Sequence, residues 1–184
     1  FEPAAGAAVR PAELELEIVR LYEACYAGLL RYAMTVTVDR HLAEDAIQEC
    51  FLELFVAWQN RHPIANPKAW LYRVLRNRIL NHARRAALSP VLAPDAFQAR
   101  ADLREDPEFR CWQGEVSESL KSLLSDREME CLQLRLEGLA YREIAVILGV
   151  RTGTVSATLA NAVRKARRTL LGEQEAACLP EFGV

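Results

Sequence analysis

The strongest constraint on this chain is the rhythm of its apolar residues. Over most of the sequence they return every three or four positions, the period that gathers them on one side of an α-helix. No stretch of useful length alternates with the two-residue period of a strand. Leu, Ala, Glu and Arg, all good helix formers, fill the periodic stretches, while 8 Gly and 8 Pro in 184 residues are few. The chain is therefore expected to be all-α. Its 51% apolar content is that of a globular protein, and its length suits two compact units of modest size.

The first unit spans residues 14–87, after an N-terminal stretch (1–13) expected to be disordered. Its opening helix, Leu14 to Thr37, places Ile18, Leu21, Tyr22, Cys25, Leu29 and Tyr32 on one side. A second helix, Ala43 to Trp58, opens on Glu44 and Asp45, which suit the positive end of a helix dipole. It carries Ile47, Phe51, Leu54, Phe55 and Trp58 as a wide apolar face with an acidic shoulder beside it. Pro63 and Pro67 then bar helix continuation, and Asn66 is placed to cap a third helix from Lys68 to Arg85. In that helix Leu71, Val74, Leu75 and Ile79 can pack inward while Arg73, Arg76, Asn77 and Arg84 take the remaining surface.

Residues 88–106, polar, acidic and broken by Pro90 and Pro94, form a flexible linker. The second unit spans 107–171 and is followed by a tail, 172–184. Glu108 to Leu124 is expected to form one helix. Ser125-Asp126-Arg127-Glu128 has the S-x-x-E form of a capping box and starts another, which Gly138 ends. Then come a short helix, YREIAVIL, a turn at Gly149, and a longer basic helix from near Thr152. This is the outline of a helix-turn-helix, whose second helix enters the major groove by its N-terminal residues. Ile144, Ala145, Leu148, Val150, Val155 and Leu159 would hold the two helices together. That leaves Arg151, Thr152, Thr154, Ser156, Thr158 and Asn161 near base edges, with Arg164, Lys165 and Arg168 within reach of phosphates. Ala140 stands where a capping Ser or Thr would help start the short helix, a loss of about 1 kcal/mol.

A formal net charge of -2 looks wrong for a nucleic-acid binder, which needs Lys and Arg to displace counterions. The charge is segregated, however. Residues 67–85 contain Lys68, Arg73, Arg76, Arg78, Arg84 and Arg85 and no acid; residues 151–168 contain Arg151, Arg164, Lys165, Arg167 and Arg168 and again no acid. Between them, residues 89–119 hold seven acids against three bases. Two basic helices on either side of an acidic connector point to polyanion binding at two places, although a solvated face is the plain alternative for either helix alone.

Other functions find little support. His41, His62 and His82 show no metal-ligand spacing, and there is no Gly-rich phosphate loop or recognisable nucleophile, so no catalytic residue, metal or cofactor is expected. Cys25, Cys50, Cys111, Cys131 and Cys178 are odd in number, widely spaced and never in a C-x-x-C pair, as for buried thiols in a reducing compartment. No stretch approaches the roughly 18 apolar residues of a membrane span, and the start lacks a secretory pattern, so a cytoplasmic protein without membrane insertion is expected.

Taken together, AEDAIQECFLELF, NPKAWLYRVLRNRILNHARR and LSDREMECLQLRLEGLAYREIAVILGVRTGTV resemble the ECF branch of bacterial sigma factors, from about Leu14 to Leu171. LuxR-type regulators share the last motif and lack the first. The resemblance implies a region 2-like bundle and a region 4-like helix-turn-helix, and a factor that binds core RNA polymerase and directs it to promoters. It assigns Asp45, Gln48 and Glu49 to the clamp helices of the polymerase beta-prime subunit, and brings in the beta flap as a further contact. It assigns His62, Ile64, Asn66, Lys68, Arg73, Arg76 and Asn77 to the melted minus-ten element, and the helix from Thr152 to the minus-thirty-five element. It also implies an anti-sigma partner. Trp70 and Tyr72 suit the core better than a base-stacking platform. One departure stands out: Ser156 and Thr158 occupy positions where Lys and Arg often follow the G-T-V triplet. A regulator acting without polymerase and a plain protein-interaction bundle remain open at this stage.

Overall fold

The structure, a computed structural model, describes residues 11–88 and 123–171. Six α-helices run through them: α1 (Pro11–Val36), α2 (Arg40–Gln59), α3 (Pro67–Leu88), α4 (Asp126–Leu136), α5 (Tyr141–Leu148) and α6 (Thr152–Leu171). The sequence-expected linker beyond Leu88, the helix before Leu123, the C-terminal tail, Cys111 and Cys178 lie outside the described residues.

Helices α1, α2 and α3 pack pairwise into a bundle. Leu29, Tyr32, Ile47, Leu54, Leu71, Tyr72, Leu75 and Ile79 are fully buried there, so the faces chosen by periodicity are the faces that pack. Ile18, Leu21, Tyr22, Trp58 and Val74 cover the edges of the same cluster. Tyr32 and Tyr72 meet edge to face at 5.4 Å, which places Tyr72 in the core.

Three points differ from the sequence reading. Residues 11–13, expected to be disordered, begin α1. Helix α2 starts at Arg40, three residues before Ala43, because Asp39 in an extended conformation accepts from the Leu42 amide at 3.1 Å. Glu44 therefore stands beyond the first residues of α2, where it pairs with Arg40 at 2.7 Å. On α3, Arg76 is not a surface group: its side chain is only 16% exposed.

In the second unit the capping box at Ser125 is complete, with Glu128 bonding the Ser125 amide at 2.9 Å. Helices α5 and α6 meet at 101°, within the range of a helix-turn-helix, around buried Ile144, Ile147, Leu148, Val155 and Leu159. The two units touch, with α1 against α4 and α3 against α5, and their buried residues form one cluster.

Three helix ends share one device, in which a residue in the left-handed region reverses the chain. Gly138 (φ 83°) closes α4 and Gly149 (φ 67°) closes α5, the latter making the tight turn of the helix-turn-helix. The third is Arg61 (φ 56°), after α2. There the Arg61 amide bonds the Trp58 carbonyl and the His62 amide bonds the Ala57 carbonyl, both near 3 Å, the same pairing that Gly138 and Leu139 make. A side chain in this conformation costs about 1 kcal/mol. Arg61→Gly should therefore raise stability by about 0.5–1 kcal/mol, seen as a higher melting temperature by circular dichroism; an unchanged or lower value would refute the strain.

Candidate nucleic-acid interface

On α6, burial of Val155, Leu159 and Ala162 turns the opposite face outward. Arg151, Thr152, Thr154, Asn161, Arg164 and Arg168 are exposed, and Ser156 and Thr158 are half-buried at its edge. Short hydroxyl and amide groups followed by guanidinium groups give base-edge chemistry at one end and phosphate chemistry at the other. Lys165 differs from its neighbours, because its ammonium bonds Glu128 of α4 at 2.7 Å. Helix α5 starts at Ala140 without a side-chain cap; instead Glu143 accepts from the Ala140 amide at 2.7 Å.

The seven residues expected at single-stranded DNA fall into two groups. His62, Arg73 and Asn77 are exposed, and Ile64 is packed against the core edge. Asn66, Lys68 and Arg76 instead face carboxylates and a carbonyl of the second unit. Arg76 makes a two-pronged contact with Glu130, at 2.9 and 3.4 Å. Lys68 donates to the Glu137 carbonyl at 2.6 Å, a cation at the negative end of α4. Asn66 caps α3 through the Ala69 amide at 3.2 Å and also donates to Glu143.

The same contact recruits residues that sequence reasoning missed. Arg31 of α1 pairs with Glu137 at 2.8 Å, and Tyr32 donates to Glu130 at 3.3 Å. Burial first, and then the Glu130 charge, hold the Tyr32 hydroxyl well above its ordinary pKa, so it stays a donor. Gly28 lets α4 approach: a Cβ there would lie 2.7 Å from the Tyr72 hydroxyl and would collide with the Glu137 carboxylate. No spacing in the sequence signals partners 54 or 106 residues apart.

On the far side of α2, Asp45, Gln48 and Glu49 are exposed on one face. Glu49, together with Glu53, pairs with Arg78 of α3. Leu52 (65% exposed) and Val56 (51%) continue that face and line an open groove of about 500 Å³ with Ala57, His62 and Trp70. Their positions at helical spacing from Asp45 and Glu49, off the core stripe, were a legible signal that sequence reasoning passed over. Cys25, Cys50 and Cys131 are buried free thiols, and burial raises the pKa of each, Cys50 to about 12. Among the described residues no group of His, Cys, Asp and Glu is arranged to hold a metal, and no single helix is long and apolar enough to cross a membrane.

Comparison with protein families matches residues 21–88 to Sigma-70 region 2 and residues 122–169 to bacterial regulatory proteins of the luxR family. Over 156 residues the chain is 31% identical to the ECF RNA polymerase sigma factor SigL of Mycobacterium tuberculosis, covering 82% of this chain and 86% of that one. The chain belongs to the ECF RNA polymerase sigma factors. SigM of Bacillus subtilis is 26% identical over 149 residues, 78% of this sigma factor and 89% of SigM. The solved sigma factor RpoE of Bartonella quintana, in complex with the anti-sigma factor NepR, shares the fold at a TM-score of 0.59 and 20% identity, covering 86% of this chain and 99% of that one. A sigma factor is a transcription initiation factor that directs RNA polymerase to promoters, and the helix-turn-helix supplies the DNA-binding module.

The Glu128 site, which braces α6 against α4, has a pH signature. Its hydrogen bond from Lys165 first, then that from the Ser125 amide, holds the Glu128 carboxyl below its ordinary value of 4.5. A lowered folded-state pKa stabilises fully above 4.5, and that contribution is lost as pH falls through the lowered value. Lys165→Met should move the Glu128 titration back up, measured by carboxyl-carbon NMR, and should weaken the brace at neutral pH. No change in that titration would sink the assignment.

Proposed function

We propose that this sigma factor holds promoter DNA at two places while seated on core RNA polymerase. Arg151, Thr152, Thr154, Ser156, Thr158 and Asn161 read the minus-thirty-five element as duplex, and Arg164, Lys165 and Arg168 contact its phosphates. His62, Ile64, Asn66, Lys68, Arg73, Arg76 and Asn77 hold the melted minus-ten strand, where a basic helix follows a loop able to take an unstacked base. The observation that carries the reading is the outward face of α6, polar at its start and cationic at its end, on the same chain as a region 2 bundle.

Asp45, Gln48 and Glu49 form the polymerase-facing shoulder, and exposed Leu52 and Val56 give it the apolar centre that a durable interface needs. The beta flap is a second polymerase contact, made by the second unit. The protein acts in the cytoplasm and is not an enzyme: it supplies specificity and strand capture to the polymerase's own chemistry. An anti-sigma factor is a further partner, as NepR is for the Bartonella quintana protein. The units assigned to these roles are residues 14–87 and 107–171.

In vitro transcription with core polymerase over a genomic promoter library tests the whole reading, and specific RNA is expected only when this protein is added. Replacing Asp45 and Gln48 together should weaken association with core polymerase about tenfold or more while leaving the melting temperature of the bundle unchanged. Equal polymerase binding would refute that shoulder. Arg164→Ala with Arg168→Ala should lower duplex affinity across sequences and flatten its dependence on salt by about two in the logarithmic slope. A slope like that of the parent protein would remove the phosphate role.

A further inference from the structure

We propose that Arg78 is a positioning residue for the polymerase-facing shoulder: reaching across from α3, it clamps Glu49 and Glu53 on α2, so that Glu49 meets the polymerase already oriented. The inference rests on the reading of Asp45, Gln48 and Glu49 as that shoulder. By sequence Arg78 belongs to the basic stretch of α3, yet it turns to α2. Its two terminal nitrogens bond separate carboxylates, Nη1 that of Glu49 and Nη2 that of Glu53.

Three observations set this apart from an ordinary surface ion pair. Asp45, Glu49 and Glu53 follow one another at four-residue spacing, a row of like charges that opposes the helix it stands on. Helix α2 has no Lys or Arg after Arg40 to balance that row, and the cation that meets it comes from α3. Arg78 is also rooted. Its side chain is 30% exposed, and its Nε is enclosed with no hydrogen-bond partner among the described residues. Its charge partly offsets the burial that pushes the neighbouring Cys50 thiol up to about 12. The polar contact therefore falls to the two terminal nitrogens, and a planar fork held at its base can aim them in few directions. Finally, the clamp stands in the wall of the open groove that Leu52, Val56 and Trp70 also line, beside the apolar centre of the shoulder.

The consequence is pre-organisation. An exposed Glu on a helix samples several rotamers, and that freedom is lost when a partner immobilises it. The clamp settles Glu49 in advance. Arg78 occupies one oxygen of Glu49 and leaves the other to accept from a partner's donor.

The test uses the full chain, fluorescently labelled, titrated with core RNA polymerase and followed by anisotropy. Arg78→Met should weaken association about fivefold, the upper end for a partly exposed pair. Arg78→Lys, which keeps the charge and loses the planar fork, should recover at most part of that loss. The deciding measurement is a cycle with Glu49→Ala: in that background Arg78→Met should cost little or nothing further, because Arg78 acts through Glu49. A residue that merely holds the helices together would weaken binding equally in both backgrounds, and that result would overturn the proposal. Tighter binding by Arg78→Met, which would make Arg78 a competitor of the polymerase, would overturn it too, as would full recovery by Arg78→Lys. Circular dichroism confirms that each variant is folded, and Arg78→Lys carries the same cycle if Arg78→Met does not fold. The joint replacement of Asp45 and Gln48 is measured alongside. Lost binding there with no effect at Arg78 sinks the clamp alone, whereas no effect at either place sinks the shoulder.

Discussion

A carboxylate taken out of water must have its hydrogen bonds replaced, and Glu130 is the residue on which this requirement bears most heavily. It projects from the second unit, yet Arg76 and Tyr32, two of its donors, come from the first; Arg127 of its own helix completes the set. Removing one member of such a buried pair strands the other and costs about 3–5 kcal/mol, which ties α1, α3 and α4 into one arrangement. Glu137 repeats the pattern along the same helix with Arg31 and Lys68. Around these charges the apolar surfaces of the two units run together, so that Leu29 and Leu134, from different units, belong to one cluster.

The helices and their inward faces were legible because each is a local property. Leu71, Leu75 and Ile79 recur at the helical period, and Ser125 and Glu128 sit at capping-box spacing, so neighbouring residues carry the whole signal. The turn at Gly149 is likewise written in one residue. What escaped was either ambiguous locally or distant in sequence. Asp39 was passed over as the α2 cap in favour of the acidic pair after it, although an Asp before a periodic run is the stronger start signal. Arg61 adopts a glycine-like conformation that its identity argues against.

The candidate site divides along the same line. Thr154 and Asn161 were placed outward from the expected burial of Val155 and Leu159, a matter of helix geometry alone. Arg76 was placed at the surface by the same reasoning and is in fact half-buried, because the group that covers it belongs to a helix 54 residues away. A helical wheel describes one helix and its own bundle; it is blind to a second unit arriving from beyond a linker. Charge segregation was informative on the two basic stretches, but the acids that meet them, Glu130 and Glu137 for the first and Glu128 for the second, are outside the acidic connector that drew attention first.

Glu143 carries a consequence of its own. One of its oxygens secures the first amide of α5, in place of the missing cap at Ala140, and the other receives Asn66 from across the boundary. The backbone closure therefore does not depend on the neighbour. The polar links named here across the boundary run from side chains, and the main-chain group among their acceptors, the Glu137 carbonyl, stands at a helix end where water can replace an ammonium. These links therefore add nothing to the helical ladders themselves, which close without them. Because Glu130 and Arg76 are largely buried, added salt screens this pair far less than it screens the charges on the outer faces of the same helices.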